Sequence, residues 1–194
     1  MKKLITAPAA PAVSLESVKA QIRMESSFTA QDGMLTGYIN AAIGQAEHIT
    51  GRKLISQIWQ LSIAPVMCSR FIVPLPFGPA QNVESVTWTN EDGDAEAIDA
   101  AEYELVQLSD DLSAVRFADG FEFSDGGYHT NPLSITFVTG YGDSSDDIPA
   151  EIRLALLLAV SHYYTNGLPT LPEDVETALY ALLRGYRLRR PWDE

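Results

Sequence analysis

Residues 133–167 read LSITFVTGYGDSSDDIPAEIRLALLLAVSHYYTNG, and this stretch organises the chain. Ile135-Thr136-Phe137-Val138 is β-branched and aromatic, which suits a half-buried strand. Gly140 and Gly142 then turn the backbone without a Cβ penalty. Asp146 or Asp147 is placed to cap a helix opening at Pro149, where a missing N–H costs nothing. From Ile152 to Tyr164 that helix is apolar on nearly every side, so it is expected to be surrounded by protein and to form the centre of the fold.

Working outward, the period of apolar residues changes twice. Before residue 55 it is helical. Ser14 opens a short amphipathic helix with Leu15, Val18 and Ile22 on one face, ending near Ser26-Ser27. Asp32 caps a second helix with Leu35, Ile39, Ala42, Ile43, Ala46 and Ile49 at spacings of three and four, stopped by Gly51. Residues 1–13 are Ala/Pro-rich and read as a flexible N-terminus. Between about 55 and 147 the pattern is that of short strands. Ile58–Ile63, Phe71–Pro76 (an edge strand, given its prolines), Val83–Trp88, Tyr103–Val106, Val115–Phe117 and Leu133–Val138 are the candidates, with Asp92-Gly93 a hairpin turn. This predicts a small antiparallel β-sandwich or barrel inserted in a helical domain. After Asn166-Gly167 a last helix runs from about Glu173 to Tyr186, with Val175, Leu179, Leu182 and Leu183 on one side. The expected architecture is α+β. A four-helix domain (14–54 and 148–187) carries a β insert (55–147), followed by an extended tail (188–194).

Composition narrows the function. The chain has 194 residues and a formal charge of −13, whereas grasping DNA phosphates needs clustered Lys and Arg. Four of the 13 basic residues, Arg184, Arg187, Arg189 and Arg190, lie in the last eleven positions, which carry +2 against −15 for the remainder. The single cysteine, Cys68, excludes an internal disulfide and a thiolate cluster. No apolar run approaches the ~20 residues of a membrane span, and the start Met1–Ile5 lacks the apolar core of a signal peptide, so a soluble protein with no membrane partner is expected.

Candidates for chemistry are weak. Gly140-Tyr-Gly142 resembles the start of a dinucleotide fingerprint, but Ser145 stands at the third glycine and no βαβ unit surrounds it, so a structural turn is the plainer reading. Two acidic groups, Asp143/Asp146/Asp147 and Asp92/Asp94/Glu96/Asp99, lack the order of a calcium loop; capping and a solvated surface explain both. His48, His129 and His162 are scattered, and no hydrolase or zinc motif is present. No enzyme, metal or cofactor is expected. Residues 82–127 hold thirteen carboxylates against one basic side chain, Arg116, which reads as a solvated face that also opposes aggregation. The tail, with Arg184, Arg187, Arg189, Arg190 and Trp192, is the clearest interaction signal, because Arg and Trp dominate interface hot spots. A tail folded back on its own domain is the competing reading.

Several of these pieces together resemble the head–tail connector (adaptor, or head-completion) family of tailed phages. The resemblance rests on Leu75-Pro76, Val83-Glu84-Ser85-Val86, Tyr103-Glu104-Leu105 and Ile135-Thr136-Phe137-Val138-Thr139-Gly140-Tyr141-Gly142. It continues through Ile148-Pro149 and Ala155–Tyr164, with the opening helix pair ending at Gly51-Arg52. It implies a structural virion protein at the head–tail junction, made in the host cytoplasm. Such a protein forms a ring, usually of twelve copies, beneath the portal. The portal protein, a tail-side completion or stopper protein and further copies of itself would be its partners, and DNA would pass through without specific binding. The resemblance also makes the tail residues the expected portal-binding segment, although they lie outside the matching motifs. A monomeric interaction module, or a metal-dependent enzyme using the acidic loops, is the alternative.

Overall fold

The computed structural model describes residues 1–64, 72–109, 112–123, 130, 132–167 and 169–188. The chain is α+β and divides into two compact units. Met1–Ala7 and Ser56–Gly140 form a β unit, and Pro8–Ile55 and Tyr141–Leu188 form a helical one.

The β unit consists of two antiparallel sheets. Five strands, β1 (Lys2–Thr6), β2 (Gln57–Ile63), β4 (Ala80–Thr89), β5 (Ala95–Ala97) and β8 (Leu133–Thr139), lie in the order β1-β2-β8-β4-β5. Three more, β3 (Ile72–Pro74), β6 (Tyr103–Gln107) and β7 (Ser113–Phe117), lie in the order β3-β7-β6. The sheets are separate layers of a sandwich, and among the described residues no barrel closes. β8 is central, its seven residues paired with β2 from Gln57↔Thr139 to Ile63↔Leu133. It alternates buried and half-buried positions, as a strand with one face on the core must. Leu61, Val86, Ile135 and Phe137 of the larger sheet share a core with Val73, Val115 and Phe117 of the smaller one. Each fully buried side chain of this size contributes about 1.5–3 kcal/mol. Pro74 sits on an edge strand, where its missing N–H costs no ladder bond.

Residues 1–13 were expected as a flexible lead-in. Instead Lys2–Thr6 pairs with β2, with Lys2 opposite Leu61 and Leu4 opposite Trp59. Ala12 and Val13 are buried in the helical core.

The helical unit holds α1 (Leu15–Gln21), α2 (Asp32–Thr50), α3 (Ala150–Asn166) and α4 (Glu173–Leu183). α3 packs against each of the other three. It is not enclosed on every side, however. Ile152, Ala155, Leu156, Ala159, Val160 and Tyr163 are buried, whereas Leu154 and Leu158 are 46% and 37% exposed. The surrounding helices cover one broad face, and an apolar residue outside it stays in water.

Three helix ends differ from expectation. α1 is capped by Ser14, whose side chain accepts from the Ser17 N–H at 3.1 Å. It stops at Gln21 rather than near Ser26-Ser27, because Arg23 takes a left-handed φ of 56°. Asp32 is the first residue of α2 and not its cap; its carboxylate pairs at 2.6 Å with the buried Lys19 ammonium. Neither Asp146 nor Asp147 caps α3, which opens at Pro149 with no side-chain cap. Both carboxylates are engaged in the preceding loop, described next.

Candidate functional site

The loop between β8 and α3 shows where the acidic residues go. Ser145–Asp147 forms one 3-10 turn closed by a reciprocal cap. Asp147 accepts from the Ser144 N–H and hydroxyl, both at 2.9 Å, and the Ser144 hydroxyl oxygen accepts from Asp146 N. The Ser144 backbone N–H and then its hydroxyl hold the Asp147 carboxyl below its ordinary range. Asp146 pairs with Arg153 at 2.9 Å. Gly142 is required here for closeness, since a Cβ would overlap the Asp147 carboxyl carbon. The second acidic group is likewise arranged around backbone. Asn90 accepts from Asp92 N and Asp94 N and donates to Glu96 at 2.7 Å, while Asp99 caps the 3-10 turn before β6. Among the described residues no three His, Cys, Asp or Glu side chains converge to hold a metal ion.

The histidines stay apart. His48 is exposed on α2. His162 lines a shallow groove between α3 and α4 with Leu158, Thr165 and Val175, its ring beside the Asn166 amide. His129 lies outside the described residues.

The C-terminal segment is built more deliberately. α4 runs into a 3-10 turn, Arg184–Tyr186, and the chain then docks on the end of α2. The Arg52 Nε donates to the Tyr186 carbonyl at 2.5 Å. The Tyr186 hydroxyl donates to Glu151 Oε2 at 2.8 Å. That bond lowers the Glu151 carboxyl and raises the Tyr186 phenol relative to their ordinary values. The Leu188 N–H donates to the Thr50 carbonyl at 2.7 Å, satisfying an orphan acceptor at a helix end. Gly51, left-handed at φ 71°, gives Leu188 room, since a Cβ there would stand 3.3 Å from the leucine's. Leu188 is buried as a result, and Arg184 and Arg187 point into solvent.

The structure therefore brings Arg184 and Arg187 onto one anchored, exposed segment. Arg189, Arg190 and Trp192 lie outside the described residues. As far as Leu188 the segment follows the competing expectation, a tail folded back on its own domain, but the residues that hold it were not legible. Gly51-Arg52 was legible as a helix end, but nothing local tied it to residues more than 130 positions on.

Fold and site define an α+β protein, a helical unit and a β-sandwich, that presents an anchored, arginine-bearing C-terminal segment. No protein-family model and no curated protein matches the chain. Among solved structures it is similar to a chain in the neck of an empty gene transfer agent particle computed with C6 symmetry. The TM-score is 0.84 at 21% identity, over 100% of this chain and 98% of that one. A chain in the virion of a native gene transfer agent particle gives 0.80 at 22% identity, with the same coverage. One in the neck of the native particle computed with C12 symmetry gives 0.77 at 22%, again with the same coverage. At this identity the likeness establishes a shared fold over the whole length.

No helix among the described residues is long and apolar enough to cross a membrane.

Proposed function

We propose that the chain is a structural neck protein of a tailed phage or phage-like particle, a head–tail connector that forms a ring beneath the portal. One observation carries this reading: the chain matches, end to end, the fold of a particle-neck component at a TM-score of 0.84. The C6 and C12 symmetries used for those necks favour a ring, with twelve copies as the expected number. The protein would act at the head–tail junction by assembly and not by catalysis. Four of its acidic side chains, Asp146, Asp147, Asp99 and Glu96, are engaged in caps and local pairs, which favours that view.

The portal is the proposed partner on one side and a completion or stopper protein the partner on the other. Arg184, Arg187, Arg189, Arg190 and Trp192 are the proposed portal-binding residues. The net charge of −13 suits a channel that DNA traverses without adhering, since like charges repel within a Debye length of ~8 Å at physiological salt.

Electron microscopy of the purified chain mixed with its portal ring tests the reading. A ring of added density at one end of the portal is expected. A chain that stays monomeric and never joins a portal overturns it, in favour of a monomeric interaction module. Alanine at all five tail positions is expected to abolish joining; unchanged binding removes the tail from the interface.

A further inference from the structure

Arg184 and Arg187 are held side by side by the backbone between them. A 3-10 turn has three residues per turn, so side chains three positions apart lie on one side of it. Arg184 opens the turn Arg184–Tyr186, and the Arg187 N–H closes it on the Arg184 carbonyl at 3.4 Å. With φ at −68° the Arg187 Cβ keeps the direction of the turn. The two side chains therefore leave the backbone about 6 Å apart, the rise of three residues. Both ends of the turn are clamped. Leu183 before it and Leu188 after it are buried. Between them the Tyr186 carbonyl accepts from the buried Arg52, and the Tyr186 hydroxyl donates to Glu151.

Four of the other described cations are matched to carboxylates: Lys19 to Asp32, Lys53 to Glu47, Arg116 to Glu104 and Arg153 to Asp146. Arg184 and Arg187 are exposed and pair with no described carboxylate, although the chain carries a net charge of −13. Like charges one turn apart repel, and the C-terminal end of α4 offsets only part of that. A carboxylate from a partner removes the repulsion and accepts from a guanidinium at two points. DNA phosphate offers similar geometry, but the net charge of the chain opposes its approach. We infer that Arg184 and Arg187 form a preset double-guanidinium site for neighbouring carboxylates of the portal, and that Tyr186, Glu151, Arg52 and Leu188 are positioning residues acting through it. The inference rests on the portal reading above, which assigns Arg189, Arg190 and Trp192, continuous with this site in sequence, to the same partner. It adds the partner's chemistry and the device that orders the site. Because folding has already fixed the turn, binding does not have to meet that entropic cost again.

The test is a double-mutant cycle in the full-length chain, read as affinity for the purified portal ring, with folding verified by circular dichroism. Tyr186→Phe loses only the bond to Glu151 and should weaken binding roughly twofold or more; Arg184→Ala with Arg187→Ala should weaken it roughly tenfold or more. All three substitutions together should bind no more weakly than the arginine pair alone, because the tyrosine acts through the arginines. Leu188→Ala should follow the same pattern. Equal factors in both backgrounds, or no effect of either positioning variant, overturn the positioning role. Arg187→Lys then identifies the partner, since carbodiimide coupling joins an amine to a carboxylate in contact with it. Mass spectrometry is expected to find position 187 joined to an Asp or Glu of the portal. A product with a second copy of this chain overturns the portal assignment. So does a duplex oligonucleotide that binds the wild type and not the double alanine variant. Unchanged portal affinity of the double alanine variant overturns the inference and leaves the ring reading standing, whereas a wild-type chain that never joins the portal overturns both.

Discussion

Tyr163 and Gln45 meet inside the helical unit, where the tyrosine hydroxyl donates to the glutamine Oε1 at 2.6 Å. The ring is 2% exposed, and the bond links α3 to α2, the pair of long helices around which the unit is built. Tyr163→Phe is therefore expected to cost about 0.5–1.5 kcal/mol, the net value of one such bond, read from urea unfolding. Burial raises the phenol above its ordinary value of 10.0. A raised folded-state value means the contribution is complete below pH 10 and is lost as pH rises through the folded pKa. The alkaline loss of stability should accordingly be shallower in Tyr163→Phe than in the wild type.

The two sides of α3 should answer differently to the same truncation. Leu156 is 1% exposed and Leu154 46%. Leu156→Ala is expected to destabilise by about 2–5 kcal/mol through lost transfer energy and a residual cavity. Leu154→Ala should stay within about 0.5 kcal/mol of the wild type. Equal effects in denaturant titrations would contradict the one-sided packing.

Gly51 tests the anchor of the C-terminal segment. Alanine at φ 71° incurs the left-handed penalty of about 1–2 kcal/mol, and its methyl crowds Leu188. Gly51→Ala should speed hydrogen exchange at the Leu188 amide in addition to lowering stability, whereas Gly51→Asn, tolerant of this conformation, should do less harm.

Acid sensitivity should report on Asp147. Its folded-state value lies below the ordinary 3.8 because the Ser144 N–H and hydroxyl stabilise the carboxylate. The contribution is present above the unfolded value and disappears as pH falls through the lower, folded one. Melting temperatures taken from pH 7 down to 3 should show a low-pH component in the wild type that Asp147→Asn lacks.

Legibility followed the range of the forces involved. β8 and α2 could be read because period and turn chemistry are local: alternation through Leu133–Thr139, threes and fours from Leu35 to Ile49, and Gly51 at the helix end. β1 was missed because an Ala/Pro-rich neighbourhood masked Lys2–Thr6, whose partner Leu61 lies far along the chain. The exposure of Leu154 and Leu158 was invisible for a related reason. Composition records that a residue is apolar, not how far a neighbouring helix reaches around it. In the candidate site, Arg184 and Arg187 were recognisable by residue type, yet the contacts that hold their segment, Leu188 to Thr50 and Tyr186 to Arg52, are long-range.

The order in which the strands pair has a consequence for synthesis. β2 must wait for β8, because Gln57 is matched to Thr139, and β1 gains its neighbour only once Leu61 has been made. The helical unit is interrupted by the same stretch and is finished only when Leu188 reaches Thr50. The β unit cannot be completed until Thr139 has emerged, nor the helical unit until Leu188 has. A nascent chain of this design spends its elongation with apolar surface open, and slow, non-local pairing follows release. Expression at reduced temperature or with chaperone support should raise the yield of folded protein more than changes to any single side chain.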